Sequence, residues 1–342
     1  MFHKRIVIGC FLVTAIHAAG QTFNFQEKKS IFDKTRELFS KEYHFTKLVG
    51  KTMDYLDQQW DSGAYDKLIE KRAFTDSLRN DLRHFTKDLH LNYFYTEAKY
   101  LLGKPGQKNI PLNIRSDNYL NEGINQVQFL SGNIGYFRIR VFGDLEKNKD
   151  ELAALFVLLQ KTKALIIDVR DNGGGALSNS IISYLLPHDS VHLNTIYWND
   201  RTDSIYTYRQ LSGPRFIDKP VYVLINRNTF SSAEEFAYDL QQLKRATIVG
   251  EASGGGANPG WASPVFTFDD GSRLDLFIPR AEVINPVTKT NWEGKGVQPD
   301  TISLPGDALK KAHHLALEYL IQREDNPVII DKYREIQQAI NK

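Results

Sequence analysis

Residues Val221 to Leu243 constrain the fold more than any other stretch of this chain. An apolar, β-branched run, Val221 to Ile225, enters a polar turn, and the turn runs into Ser231 and Ser232 at the head of an amphipathic segment. That order predicts a strand, a tight turn and a helix N-terminus. A hydroxyl there lies beside unpaired backbone N–H groups at the positive end of a helix dipole, where an attacking oxygen and the oxyanion it creates can be stabilised. Ser231 is therefore the candidate nucleophile. Ser231-x-x-Glu234 and Ser232-x-x-Glu235 also fit the capping-box pattern, which gives the serines a purely structural task. No G-x-S-x-G elbow is present, so the rest of the chain has to choose between the two readings.

At 342 residues the chain is long enough for a full core and two domains. Its first twenty residues read differently from the remainder. Lys4 and Arg5 precede an apolar run from Ile6 to Ile16, followed by Ala18, Ala19 and Gly20, the three-part pattern of a secretory signal peptide. The run is shorter than the roughly 20 residues a membrane-spanning helix needs, and no later segment is long and apolar enough. The sequence thus predicts an exported protein, periplasmic or secreted, with a leader over 1–20. Cys10, the one cysteine, lies inside that leader, so disulfides and a thiol nucleophile are not expected in a mature chain. Without Lys4 and Arg5 the formal charge falls from +2 to 0, which leaves no electrostatic footprint for nucleic acid.

Helix-period spacing of apolar residues, among them Phe32, Leu38, Phe39, Leu56, Phe74, Leu78 and Leu82, predicts a small helical domain over 21–115. Its end carries Asp88-Leu89-His90 and a shift to β-favouring aromatics, and Gly103-Lys104-Pro105-Gly106 punctuates the boundary that follows. Residues 116–342 read as α/β. Gly135 to Phe142 alternates like a strand, Leu152 to Leu159 marks a helix face, and Ala164 to Val169 is a buried strand ending in Arg170-Asp171-Asn172-Gly173-Gly174-Gly175. A helix is expected from about Leu177 to Leu186, then a polar insertion from Asn199 to Pro220. A strand over Ala246 to Val249 precedes a glycine-rich loop, Glu251 to Gly260. Trp261 to Pro279 reads as a hairpin, and Asp307 to Leu320 as an amphipathic helix on the outside.

The triple glycine after a buried strand lets backbone N–H groups approach a ligand closely. Neither Gly173 to Gly175 nor Gly254 to Gly256 is followed by Lys-Ser/Thr, and there is no G-x-G-x-x-G, so a phosphate cradle is not indicated. An oxyanion hole and a plain tight turn remain as the two readings. With no H-E-x-x-H and no cysteine cluster, no metal and no cofactor are expected.

Four blocks in this order resemble the signature blocks of the tail-specific, or C-terminal processing, serine peptidases. They are Ile166 to Gly175, Thr229-Phe230-Ser231-Ser232-Ala233-Glu234-Glu235-Phe236-Ala237, Ala246 to Glu251, and Gly296-Val297-Gln298-Pro299-Asp300. The resemblance implies a crotonase/Clp protease-like β-β-α spiral catalytic domain. It also implies Ser231 as nucleophile, with an oxyanion hole from the backbone N–H of Ser232 and of Gly173 or Gly174. The processing branch of the family carries a lysine base in the glycine-rich loop, where this chain has Gly256, so a Ser-Lys dyad is ruled out at that position. The branch that resembles the tricorn core and the interphotoreceptor retinoid-binding protein lacks that lysine. In it a histidine near the end of the N-terminal domain serves as base, oriented by a carboxylate just before the Gly-Val-x-Pro-Asp block. Here those positions are His90 and Glu293. Tricorn has a serine immediately before its histidine, and Leu89 stands there in this chain. The interval from Tyr95 to Gln126 is too short for the peptide-binding PDZ module that processing proteases usually carry.

The residue chemistry points the same way. A serine hydroxyl needs a base to take its proton, imidazole titrates near working pH, and a carboxylate behind the ring fixes its tautomer. Of the histidines outside the leader, His90 is the one beside an expected strand in an apolar setting, and Asp88 is a poorer orienter than Glu293. The expected function is a serine endopeptidase acting on peptide or unfolded protein. Rival readings are a non-catalytic module that binds an apolar ligand and, more weakly, a crotonase-type acyl transfer enzyme.

Overall fold

The computed structural model describes residues 22–98, 101–102, 110–111, 123–143, 149–176 and 178–341. The leader expected over 1–20 and nearly all of the boundary expected around Gly103 to Asn121 lie outside the described residues, as does Leu177. In chain order the elements are α1 (Phe25–Glu42), α2 (Thr46–Asp61), α3 (Lys71–Thr86), β1 (Asn92–Thr96), β2 (Leu101–Leu102), β3 (Ile110–Pro111), β4 (Ile124–Leu130), β5 (Ile134–Ile139), α4 (Lys149–Leu159), β6 (Ala164–Asp168) and α5 (Asn179–Leu185). Then follow β7 (His192–Trp198), β8 (Thr202–Tyr206), β9 (Val221–Ile225), α6 (Ser232–Gln242), β10 (Thr247–Gly250), β11 (Gly260–Thr267), β12 (Arg273–Pro279), β13 (Ala281–Ile284), β14 (Thr301–Ile302), α7 (Ala308–Ile321) and α8 (Pro327–Asn341). The fold is mixed α/β. Among the described residues no helix is long and apolar enough to cross a membrane.

The chain divides into two compact units, and the division is not a single cut. The first contains 1–115, 197–202 and 258–282, and the second contains 116–196, 203–257 and 283–342. In the first, α1 opens on a capping box in which Asn24 Oδ1 accepts from Glu27 N–H at 2.9 Å and Glu27 Oε2 accepts from Asn24 N–H at 2.8 Å. Ile31, Phe32, Leu38 and Phe39 of α1 recur at helical spacing and are buried with Leu56 of α2 and Phe74, Leu78 and Leu82 of α3. The same core takes in Val265, Leu274, Leu276 and Ile278. These come from the antiparallel sheet β1-β12-β11. The helical domain expected over 21–115 is therefore one part of this unit, and the hairpin expected within the second domain completes its core.

The second unit is built on a six-stranded sheet in the order β14-β10-β9-β6-β5-β4. β5, β6, β9, β10 and β14 run parallel, while β4 pairs antiparallel with β5 along one edge. β6 and β9 are buried along their whole length. That is why they read as unbroken apolar runs rather than alternating ones. One face of the sheet packs Ile134, Tyr136, Ile166, Tyr222, Leu224 and Val249 against Ala308, Ala312, Ala316 and Leu317 of α7. Alanine at every fourth position lets this helix lie close on the sheet, so α7 packs by one face on the outside of the sheet and covers its core. Three parallel strands, β6, β9 and β10, deliver their C-terminal ends to one edge of the unit, the position where open α/β sheets bind ligands.

Gly250 ends β10 opposite Ile225 of β9 with φ 139°. A Cβ there would fall inside van der Waals contact of the Ile225 carbonyl oxygen, whereas one added at Gly306 meets nothing within 4 Å. Gly250→Ala is expected to cost about 3 kcal/mol or more and Gly306→Ala within about 0.5 kcal/mol. The midpoints of urea unfolding check both.

Candidate active site

The three turns at that edge are tied to one another by hydrogen bonds. After β6, Asp171 N–H donates to Asn226 Oδ1 at 3.0 Å. After β9, Phe230 N–H donates to the Asn172 carbonyl at 2.9 Å, and Thr229 Oγ1 donates to the Val169 carbonyl at 2.9 Å. After β10, Gly254 N–H donates to the Thr229 carbonyl at 2.9 Å. Backbone groups that belong to no ladder are thereby satisfied.

Ser231 sits at the centre of this arrangement, as the residue before α6, with φ 57° and ψ −126°. A non-glycine residue held in that region is strained, and such strain persists only where the surroundings over-determine it. Its N–H donates to Glu234 Oε2 at 2.9 Å, as the capping-box pattern Ser231-x-x-Glu234 leads one to expect. Glu234 does far more than cap. It is fully buried, and its carboxylate also accepts from Ser253 Oγ at 2.5 Å, Gly255 N–H at 2.6 Å and Gly256 N–H at 2.8 Å. Burial pushes its pKa up to about 7, against the pull of those four donors.

The residues expected to hold an oxyanion lie beside this centre. Ser232 Oγ donates to the Gly175 carbonyl at 2.9 Å and accepts from Gly175 N–H at 3.1 Å, which locks the start of α6 to the glycine turn. The Ser232 N–H belongs to the first turn of α6, where the helix itself supplies no carbonyl partner. Gly174, at φ 97°, commits its N–H to Asn172 Oδ1 at 2.8 Å. At Gly173 an added Cβ would meet nothing within 4 Å.

Glu293 is fastened to the far side of the glycine-rich loop. Its Oε2 accepts from Ala257 N–H at 2.6 Å. The neighbouring Trp292 Nε1 donates to the Gly256 carbonyl at 2.9 Å, and Gly294 N–H donates to the Gly255 carbonyl at 2.9 Å. Gly256 thus gives its N–H to Glu234 and its carbonyl to Trp292. Ser231, Ser232, Gly173, Gly174 and Glu293 all belong to the second unit, and this web of bonds joins the turns that carry them.

His90 belongs to the first unit. It lies two residues before β1, in a turn that Arg83 of α3 holds by donating from Nε to the Leu91 carbonyl at 2.8 Å and from Nη2 to the Leu89 carbonyl at 2.5 Å. Its ring stacks on Phe277 of β12, with centroids 5.5 Å apart. Burial, with a smaller push from the Arg83 charge, depresses its pKa to about 3, which keeps the imidazole in its neutral, proton-accepting form. Asp88 does not approach as a second orienter along a strand. Its Oδ1 accepts from His90 N–H at 3.1 Å and its Oδ2 from Asn258 Nδ2 at 3.1 Å, so it shapes the turn that presents the histidine. Burial raises its pKa to about 6.

The model of peptidase family S41 matches residues 133–303, half of the chain. This chain belongs to peptidase family S41. It is 29% identical over 181 residues to the chloroplastic carboxyl-terminal-processing peptidase 2 of Arabidopsis thaliana, a match covering 50% of this chain and 32% of that one. To the carboxy-terminal processing protease CtpA of Bacillus subtilis it is 27% identical over 186 residues, 54% of this chain and 38% of the relative. The chain therefore spans about a third of the length of these curated relatives. Among solved structures, a lipoprotein from Streptococcus agalactiae shares the fold with a TM-score of 0.54 at 16% identity, over 85% of this chain and 96% of that one. In this S41 chain, reasoning from sequence treated Glu234 as a cap and missed its grip on Ser253, Gly255 and Gly256. The spacing from Ser231 was the only local signal, because the other partners are 19 to 22 residues away.

Because the carboxyl of Glu234 holds its proton more tightly folded than unfolded, the unfolded chain releases a proton first as pH rises. Stability attributable to this group is therefore fully present below about 4.5 and declines through about 7, by on the order of 3 kcal/mol. Urea midpoints measured from about pH 5 to about pH 8 should fall less steeply in Glu234→Gln than in the unaltered protein.

Proposed function

We propose that this chain is a serine endopeptidase that cleaves peptide or unfolded protein through an acyl-enzyme, with Ser231 as nucleophile, His90 as base and Glu293 as the carboxylate that orients it. The observation that carries the reading is the strained Ser231 at the head of α6, clamped through Glu234 to the glycine-rich loop, in a chain of an S41 peptidase family. A strained turn before a helix lifts a hydroxyl clear of the backbone and turns N–H groups towards it.

In the reaction, Ser231 Oγ attacks the scissile carbonyl carbon while its proton passes to the His90 imidazole. The carbonyl oxygen becomes an oxyanion, met by the N–H of Ser232 and by the glycine turn at Gly173, since the expected alternative donor, the Gly174 N–H, is already given to Asn172 Oδ1. Collapse of that intermediate breaks the C–N bond, and His90 gives the proton to the departing amine. Water then repeats the sequence on the acyl-enzyme and restores both groups. The depressed pKa of His90 favours its starting, neutral form, and the negative charge of Glu293 would stabilise the imidazolium formed in passing. In the fold, β4, β5 and α4 followed by β6 support reading the second unit as a β-β-α spiral. The Lys4-Arg5 pattern over 1–20 supports action outside the cytoplasm, periplasmic or secreted.

The test is covalent labelling with a serine-reactive fluorophosphonate, followed by turnover of an unfolded protein substrate. Ser231→Ala is expected to abolish labelling. His90→Ala should lower kcat by about three to four orders of magnitude, with Glu293→Gln losing less. Equal labelling of the unaltered protein and Ser231→Ala would remove Ser231 from the mechanism.

A further inference from the structure

Helix α6 carries two more buried acids that the reaction does not use. Glu235 and Asp239 are one turn apart on the same face, and both are buried. A single side-chain amide serves them both, since Asn194 Nδ2 of β7 donates to Glu235 Oε1 at 3.1 Å and to Asp239 Oδ2 at 2.8 Å. The other oxygen of Asp239 accepts from Asn285 Nδ2 at 3.0 Å. Asn285 organises the turn that leads to Glu293. Its Oδ1 accepts from Val287 N–H at 2.9 Å, its N–H donates to the Thr290 carbonyl at 3.0 Å, and its carbonyl accepts from Lys289 N–H at 2.9 Å. Asn291 continues the link, with Nδ2 donating to the Val283 carbonyl at 2.7 Å and Oδ1 accepting from Glu293 N–H at 3.0 Å.

Among the described residues neither of the two acids forms a salt bridge. β7 presents Asn194, whose carbonyl lies 3.0 Å from His192 Nε2, and the turn from Asn285 presents that asparagine. Lys289 meets Asn285 through its backbone, and Tyr238 OH lies 3.0 Å from Thr288 Oγ1. β10 has no titratable side chain, and the tyrosine of α5, Tyr184, donates its hydroxyl to the Ser212 carbonyl. On α6 itself, Glu234 is committed to the glycine-rich loop. Two carboxylates flanking one amide, buried and with no salt-bridge partner among the described residues, cannot both ionise cheaply. Burial raises the pKa of Glu235 to about 7 and that of Asp239 well above its ordinary value, the Glu235 charge adding to the latter.

We propose that Glu235 and Asp239 hold one proton between them and, in that state, position the loop bearing Glu293 against the helix that begins after Ser231. They are positioning residues, and the proposal rests on the roles given above to Ser231 and Glu293. With the proton in place one carboxyl is neutral, and the amides of Asn194 and Asn285 satisfy what remains. Its loss sets two anions on one amide, and the pair relaxes by moving apart, which releases Asn285 and with it the 285–293 loop.

Glu235→Gln separates this from a purely structural role. Glutamine keeps an acceptor for Asn194, carries a donor like the protonated acid, and cannot ionise. Amide hydrogen exchange across 285–293, expressed as protection factors, is expected to drop in the unaltered protein above about pH 7 and to stay level in Glu235→Gln. The alkaline limb of kcat should move up by roughly one pH unit or more in the variant, with KM little changed. Asn285→Ala should lower kcat several-fold at every pH, because it cuts the link and leaves the pair. If Glu235→Gln does not fold, Asp239→Asn takes its place. Protection factors without a step, or kcat profiles that coincide, overturn the proposal. A step in protection without any Ser231-dependent turnover overturns the peptidase reading instead and leaves the proton-held loop supported.

Discussion

The geometry around Ser231 depends on one buried carboxylate. Glu234 gathers four donors from two separated segments, Ser231 on one side and Ser253, Gly255 and Gly256 on the other. A glycine-rich loop has almost no side chains with which to pack, so its position must be set through the backbone. Backbone N–H groups in a buried, irregular segment need an acceptor, and a charged acceptor holds them more strongly than a neutral carbonyl does. The same four bonds hold Ser231 in a backbone conformation it would otherwise leave. Where the glycine loop lies and how the serine is presented are therefore one question.

From that centre the connections run outward in a fixed order. The loop that Glu234 holds reaches Ala257, and the N–H of Ala257 holds Glu293. In the opposite direction, Ser232 and Phe230 are bonded to the glycine turn after β6. The parallel sheet brings these turns to one edge because its strands end there, while the core under α7 fixes the strands. The histidine is presented differently, by a short turn braced on α3 through Arg83 and on β12 through ring stacking. Ser231 and His90 belong to different compact units, and each is held by the core of its own unit.

Local features were legible in the sequence. The run from Val221, the spacing of Ser231 and Glu234, the helix faces of α1 and α3 and the glycine turn after β6 all depend on neighbours within a few residues. Features set by distant partners were not. The alternation in Val265, Leu274 and Leu276 reads as a hairpin, yet nothing in it says that its apolar face joins Phe39 and Leu78. Thr202 to Tyr206 forms a strand in a segment whose polarity reads as an insertion. α8 carries Ile329, Tyr333, Ile336 and Ile340 at helical spacing, a signal that was present in the sequence, and Tyr333 joins the core that includes α7. For His90, composition identified an apolar setting, but the neutral state of the ring follows from burial that only the folded chain creates.

Three buried acids on a helix of eleven residues are not what stability alone would favour. Apolar side chains of similar size at Glu234, Glu235 and Asp239 would avoid the desolvation of carboxyl groups, and such replacements are often neutral or stabilising. What apolar residues could not supply is direction. A hydrocarbon contact fills space, whereas a carboxyl oxygen fixes a donor to within a few tenths of an ångström and a limited range of angles. α6 uses Glu234 to fix the 253–256 loop and Asp239 to fix the 285–291 turn, and these two segments meet where Ala257 binds Glu293. The helix that begins beside Ser231 thus locates both supports of the carboxylate, and stability is exchanged for placement along its whole buried face.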